Sequence, residues 1–166
     1  VVTHCHATGL RQMSLCPHLA ERVQEGCARN ERFVVLHQGH ADALIAALGV
    51  DLSRIEVVGA GYGEATFGAA PQVKRKSPSL LYAGKYSHAK GLPWLLDAVE
   101  ALAEERPEMT LHIAGSGAGE EAEALRRRML SMPQVVLHGQ VSQETLAGLM
   151  QEASVFVLPS FYEGLP

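Results

Sequence analysis

The sequence predicts an α/β protein built of parallel sheets with helices on both faces. Two observations predict it. Short β-branched or apolar runs alternate with helix-spaced segments, joined by short loops, along the chain; this is the pattern of parallel strands connected by helical crossovers. The rhythm breaks once, at residues 65–78 (ATFGAAPQVKRKSP), where small residues, two prolines and the Lys74-Arg75-Lys76 run mark a linker. Two units are therefore expected, over residues 1–64 and 79–166.

In the first unit VVTHCH (1–6) reads as a strand. Residues 11–28 follow with apolar positions at helical spacing (Leu15, Leu19, Val23, Cys27). RFVVLH (32–37) is a second strand, and ADALIAALG (41–49) a helix that Gly49 stops. RIEVVG (54–59) is a third strand. In the second unit SLLYAG (79–84) is a strand, and the loop KYSHAK leads to a helix over 92–106. Pro93 suits that helix's first turn, where a backbone N–H is unpaired anyway. MTLHIAG (109–115), a helix over 119–131, VVLHG (135–139) and a helix over 142–152 follow, the last with Ser142 as its cap. SVFVLP (154–159) is the final strand, and its continuous apolar run predicts burial on both sheet faces. Sheets of this kind usually carry five or six strands. The chain begins without Met and ends three residues after Glu163, so each sheet is expected to be cut short, leaving exposed edges and apolar patches.

Of the 166 residues, 47% are hydrophobic and 19% charged, with a formal net charge of −4. That balance fits a protein with a core and gives no basic field for nucleic acid. No apolar run is long enough to span a membrane, and no signal peptide is present, so the expected location is cytoplasmic, with peripheral contact at the inner membrane face as an option. Three cysteines, Cys5, Cys16 and Cys27, fit a reducing compartment and thiols on helix faces. With His4, His6 and His18 they lack C-x2-C or H-x3-H spacing, so no metal is expected.

Ligands of open α/β sheets bind beyond the carboxyl ends of the strands. After the first strand of the second unit, Gly84 permits a sharp turn, and Lys85 and Lys90 flank the loop next to a helix start. Two ammonium groups and a helix N-terminus form an anion site that neutralises a diphosphate without a metal; the structural alternative is two solvated lysines. After the next strand, GSGAGE approaches a dinucleotide fingerprint but carries Glu120 where the third glycine belongs. Gly115 and Gly117 then form a tight turn lining a pocket. The loop GQVS, with Val141, offers backbone groups to a flat nucleobase. After the last strand, PSFYEG places Glu163 near the crevice, where sugar hydroxyls suit an acid; the alternative is an acid favoured by a helix dipole. In the first unit His4 and His6 stand at the end of the first strand, and one of them is expected to face a crevice.

Together these segments resemble the retaining glycosyltransferases of the GT-B fold, family 4 of the sequence classification. LLYAGKYSHAKG resembles that family's strand followed by G-R/K-x4-K-G. LHIAGSGAGEE resembles its second strand and G-x-G turn, and VVLHGQVSQETLAGLMQEASVFVLPSFYEG its block ending P-S-x-x-E-G. CHATGLRQ and IEVVGAGYGEATF resemble the end of the acceptor-side domain. The resemblance implies two Rossmann-like domains and metal-independent transfer of a sugar from a nucleotide diphosphate sugar, with retention. The donor is a substrate, and no permanently bound cofactor is implied; the acceptor is a glycan, lipid or small molecule. It implies that Lys85 and Lys90 hold the diphosphate and that Glu163, the first acid of E-x7-E, positions the donor. His6 is placed near the donor sugar, or His4 if the alignment slips by two.

The second acid of E-x7-E would follow Pro166, and the family's hinge Asn is Ala60 here. The chain is accordingly expected to be a fragment, inactive alone, that needs the remainder of a longer protein or self-associates through its edges. The readings held against this are a dinucleotide-binding domain, a non-enzymatic nucleotide-binding module and a nucleotide-sugar epimerase.

Overall fold

Every strand pairing is parallel in the computed structural model, which describes residues 1–5, 9, 12, 15–68 and 78–163. These residues form two compact units. One holds residues 1–62 with Glu163, and the other Gly63–Tyr162. His6, Gly164 and the Lys74-Arg75-Lys76 run lie outside the described residues.

The first unit is a sheet of β1 (Val2–Cys5), β2 (Arg32–Val35) and β3 (Ile55–Val57), in that order. Helices α1 (Ala20–Ala28) and α2 (Gln38–Leu48) make the crossovers. The middle strand buries Phe33 and Val35, which meet Ala41, Leu44 and Leu48 of α2. Positions 41, 44 and 48 lie on one helix face, so the 3.6 period of α2 delivers them all to the sheet. Gly49 ends α2, as the sequence predicts. Arg54 donates to the Cys27 and Asn30 carbonyls, which ties β3 to the end of α1. Cys27 lies on α1 as expected, whereas Cys5 lies on β1; both are half-buried, and burial raises both thiol pKa values.

The second unit opens with a short helix, α3 (Glu64–Phe67), which takes the first residues of the segment read as linker and packs on α6 (Gln143–Glu152). Its sheet contains β4 (Ser79–Ala83), β5 (Thr110–Ala114), β6 (Val135–Gly139) and β7 (Val155–Phe156), in the order β6-β5-β4-β7. Leu92, Leu95, Leu96 and Val99 of α4 (Leu92–Leu102) and Ala122, Leu125 and Met129 of α5 (Glu120–Ser131) cover Tyr82, Leu111 and Ile113. Each fully buried side chain of this size contributes about 1.5–3 kcal/mol. Leu92, Leu96, Leu111, Ile113 and Met129 are all fully buried, so this layer is the main stabilising contact of the unit. Ser142 caps α6 as predicted, its hydroxyl accepting from the Thr145 N–H at 3.2 Å.

Three further expectations are corrected. The helix read over 11–28 is α1 only from Ala20, after a 3-10 turn at Pro17–Leu19. The last helix-sized segment before β5 stops at Leu102 and not at 106. More consequentially, β7 is not buried on both faces. It is an edge strand pairing only β4 among the described residues, with Val155 52% and Phe156 42% exposed. A continuous apolar run reports hydrophobicity and not strand order. No helix among the described residues is long and apolar enough to cross a membrane.

Candidate functional site

The strand order creates the site. The chain runs β4, β5, β6 in one direction and then returns to lay β7 on the other side of β4. Beyond the carboxyl ends, the β4 and β7 loops therefore diverge from opposite sides of a switch point, the usual place for a ligand crevice. Two glycines let strand-end loops pack closely, one between the β5 and β4 loops and one between the β4 and β7 loops. At Gly115 (φ +140) an added Cβ would lie 2.0 Å from the Gly84 carbonyl oxygen. At Gly91 (φ +70) it would lie 2.0 Å from the Pro159 carbonyl oxygen. Both contacts are backbone on backbone, so no side chain fits. Hydrogen bonds complete the joint: Gly84 N–H to Ala114 O at 3.0 Å, Tyr86 N–H to Ser116 O at 3.0 Å, and Phe161 N–H to Ala89 O at 3.2 Å.

Gly84, Lys85, Gly115, Ser116, Gly117, Ala118 and Gln140 line a cavity of about 480 Å³ at these strand ends. A larger one, about 910 Å³, shares the Gly115–Ala118 turn and extends to Gly139, Arg126 and Arg127. Lys85 is exposed, and the Tyr82 hydroxyl donates to its carbonyl at 2.7 Å, fixing the backbone that presents the ammonium group. The structure thus brings Gly84, Lys85, Gly115 and Gly117 to one cavity. Val141 directly follows the lining residue Gln140 and is half-buried. Lys90 is half-buried in the short 3-10 turn His88–Lys90 leading into α4, and it does not line the cavity. Glu163 is half-buried and groups with the first unit. His4 lies on β1 beside an apolar cavity of about 590 Å³ in that unit.

The first turn of α5 carries Glu120, Glu121 and Glu123. Three carboxylates there disfavour an anion seated directly on the α5 N-terminus, and Glu120 and Glu123 line the larger cavity. Two of the three, Glu121 and Glu123, carry no sequence signal of their own. Glu121 Oε1 meets both the backbone N–H of His88 and its ring Nδ1, the latter at 2.6 Å. These two hydrogen bonds, with the nearby Lys85 charge, hold the Glu121 carboxyl below the ordinary range. On the sheet itself His112 and His138 stack at 5.2 Å, with Nδ1 and Nε2 2.9 Å apart. Burial first, and the neighbouring His138 second, push the His112 pKa down. Neither pair has a local sequence signature, because the partners lie 33 and 26 residues apart.

The chain belongs to the family described as glycosyl transferases group 1, whose model matches residues 77–166. Among curated relatives, a D-inositol 3-phosphate glycosyltransferase of Paenarthrobacter aurescens is 32% identical over 158 residues, 86% of this chain and 38% of that protein. A glycogen synthase of Mycobacterium tuberculosis is 31% identical over 74% of this chain and 30% of its own length. The chain therefore spans less than two fifths of either relative. Of solved structures, HepE of Anabaena in complex with UDP and glucose superposes with TM-score 0.67 at 18% identity, over 98% of this chain and 47% of that one. TarM of S. aureus, in complex with Fondaparinux, alpha-GlcNAc-glycerol and UDP, gives 0.65 at 18% identity, over 87% and 28%. The fold is the α/β GT-B type that the sequence predicts.

Proposed function

We propose that this chain carries the donor-binding part of a retaining, metal-independent glycosyltransferase of family 4, with a nucleotide diphosphate sugar as donor. The observation that carries the reading is the cavity at the β4, β5 and β6 ends, with Lys85 at its rim and Gly84, Gly115 and Gly117 in its wall. Glycine walls let a diphosphate approach backbone N–H groups, and a lysine supplies a full positive charge. In transfer, the bond between the anomeric carbon and the diphosphate oxygen breaks, and its electron pair leaves with the diphosphate. The acceptor hydroxyl oxygen forms the new bond on the same face and gives its proton to the departing diphosphate oxygen. Lys85, aided by Lys90 from the adjoining turn, meets the charge that develops on the leaving group and so lowers the barrier. Val141 presents backbone to the base. Glu163 positions the donor, and His6 (or His4) contacts the transferred sugar.

Residues 1–64 serve as the end of an acceptor-side domain, 65–78 as linker and 79–166 as the start of the donor domain. The acceptor is a glycan, lipid or small molecule. The 166 residues bind donor nucleotide without turning it over, a reading supported by the 38% and 30% of its relatives' lengths that the chain spans. The test is calorimetric titration with UDP, GDP and ADP, followed by assays with the matching nucleotide sugars. Binding of at least one nucleotide, weakened about tenfold in Lys85→Ala, is the expected result; that loss corresponds to about 1.4 kcal/mol. Binding of none, or robust transfer by the chain alone, would sink the corresponding half of the reading.

A further inference from the structure

Glu121 closes the G-x-G segment LHIAGSGAGEE without being one of its turn glycines, and it grips the loop that carries Lys85. One carboxylate oxygen accepts from both the backbone N–H and the ring of His88. The His88 ring also meets the edge of Trp94, with centroids 5.9 Å apart, and Trp94 meets Phe161 at 4.8 Å. The ring is therefore held by Glu121 and braced by Trp94. The ends of the same loop are anchored separately, by Tyr82 on the Lys85 carbonyl and by the Phe161 N–H on the Ala89 carbonyl. Between those anchors the buried Tyr86 packs with Ala122 and Leu125 of α5, and Glu121 adds hydrogen bonds from α5 to His88.

The carboxylate and the imidazole are 46% and 63% exposed, so this pair adds little to global stability. What two hydrogen bonds to a single loop residue do supply is geometry. The same carboxylate also lies within electrostatic reach of Lys85, the ammonium group at the rim of the cavity.

We propose that Glu121 is a positioning residue with two opposed effects on one site: through His88 it holds the loop that presents Lys85, and its negative charge competes with an anion for that lysine. The second effect rests on the diphosphate reading given above; the first does not. Acid and loop form a tether that shapes the site while keeping the donor diphosphate from binding too tightly, so that the spent nucleotide can leave.

Two substitutions separate the effects. Glu121→Gln retains an acceptor oxygen for His88 and removes the charge. Removing a negative charge that faces the same lysine lowers the Coulomb repulsion felt by a bound diphosphate, so E121Q is expected to bind UDP, GDP or ADP several-fold more tightly than the unsubstituted chain. Glu121→Ala removes the tether as well, and is expected to bind at least threefold more weakly than E121Q. Hydrogen exchange supplies a readout that needs no nucleotide: the His88 amide should exchange faster in E121A and stay protected in E121Q. Equal weakening of nucleotide binding by both variants, or His88 exchange unchanged in E121A, overturns the proposal. If the unsubstituted chain binds none of the three nucleotides, the diphosphate reading and the competing charge fall together, and the exchange result alone decides whether Glu121 holds the loop.

Discussion

Replacing Gly115 by alanine tests the joint on which the whole site depends. Gly115 has φ +140, and a Cβ there would lie 2.0 Å from the carbonyl oxygen and 2.9 Å from the carbonyl carbon of Gly84. Neither atom can swing aside, since both are backbone. Gly84 is held by its N–H bond to Ala114 O at 3.0 Å, and Gly115 by its own N–H bond to Gly139 O at 2.7 Å. Relief of the clash must therefore pull apart the ends of β4 and β5. An L-residue in so sparsely populated a backbone region costs about 1–3 kcal/mol. Forcing a methyl group into a filled space costs about 1–3 kcal/mol more. The sum, about 2–6 kcal/mol, is a large fraction of the stability of any small unit.

The assay is urea unfolding followed by the fluorescence of Trp94, the chain's single tryptophan, which belongs to the second unit. With a urea slope of about 1–3 kcal/mol per molar for small proteins, the midpoint should fall by about 1 M or more. Gly148→Ala is the control. Gly148 lies inside α6 with nothing within 4 Å of an added Cβ, so alanine should stabilise by about 0.5–1 kcal/mol through its better helix propensity. A Gly115→Ala midpoint within about 0.2 M of the unsubstituted chain would refute the account of the loop joint.

The His112–His138 pair makes stability depend on pH in a definite window. Burial and the neighbouring imidazole depress the folded-state pKa of His112, so the unfolded chain binds its proton first as pH falls through the ordinary histidine value of about 6.5. The stabilisation is present above that pH and is lost below it; the Trp94 urea midpoint should therefore drop between pH 7 and pH 5, and less so in His112→Gln, whereas an equal drop in that variant would contradict the assignment. Loss from the depressed carboxyls of Glu121, Glu144 and Asp51 belongs to a lower window, beneath about pH 4.5. Ser142→Ala, which removes the N-cap of α6 next to Val141, should cost about 1 kcal/mol in the same unfolding assay, and Ser142→Asp, which keeps an acceptor, should cost less.

Features governed by local chemistry were legible in the sequence. Gly49 stops α2, Pro93 opens α4 and Ser142 caps α6, because each acts on backbone groups within a turn of itself. The alternation of apolar runs with helix-spaced segments likewise foretold parallel sheets, and the loop glycines and Lys85 could be placed at strand ends before any coordinates. Exposed edges are expected from the sequence, but that β7 forms one was not legible. Its apolar run would suit a central strand equally well, and only the return crossover past β4 assigns it to the edge. Nor could Glu121 be told from Glu120 and Glu123, its neighbours in one helical turn, since what distinguishes it is the reach of His88.

The sequence by itself determined the alternation of strands and helices in each unit and the chemical character of the strand-end loops, though not the short helix α3, because helix periodicity, capping and turn chemistry act over a few residues. The tertiary structure alone decided the strand order β6-β5-β4-β7, the approach of Gly115 to Gly84 and the grip of Glu121 on His88. Those contacts join residues tens of positions apart, and each depends on which crossover the chain takes; no local pattern encodes that choice, which is settled only when every apolar face finds cover at once.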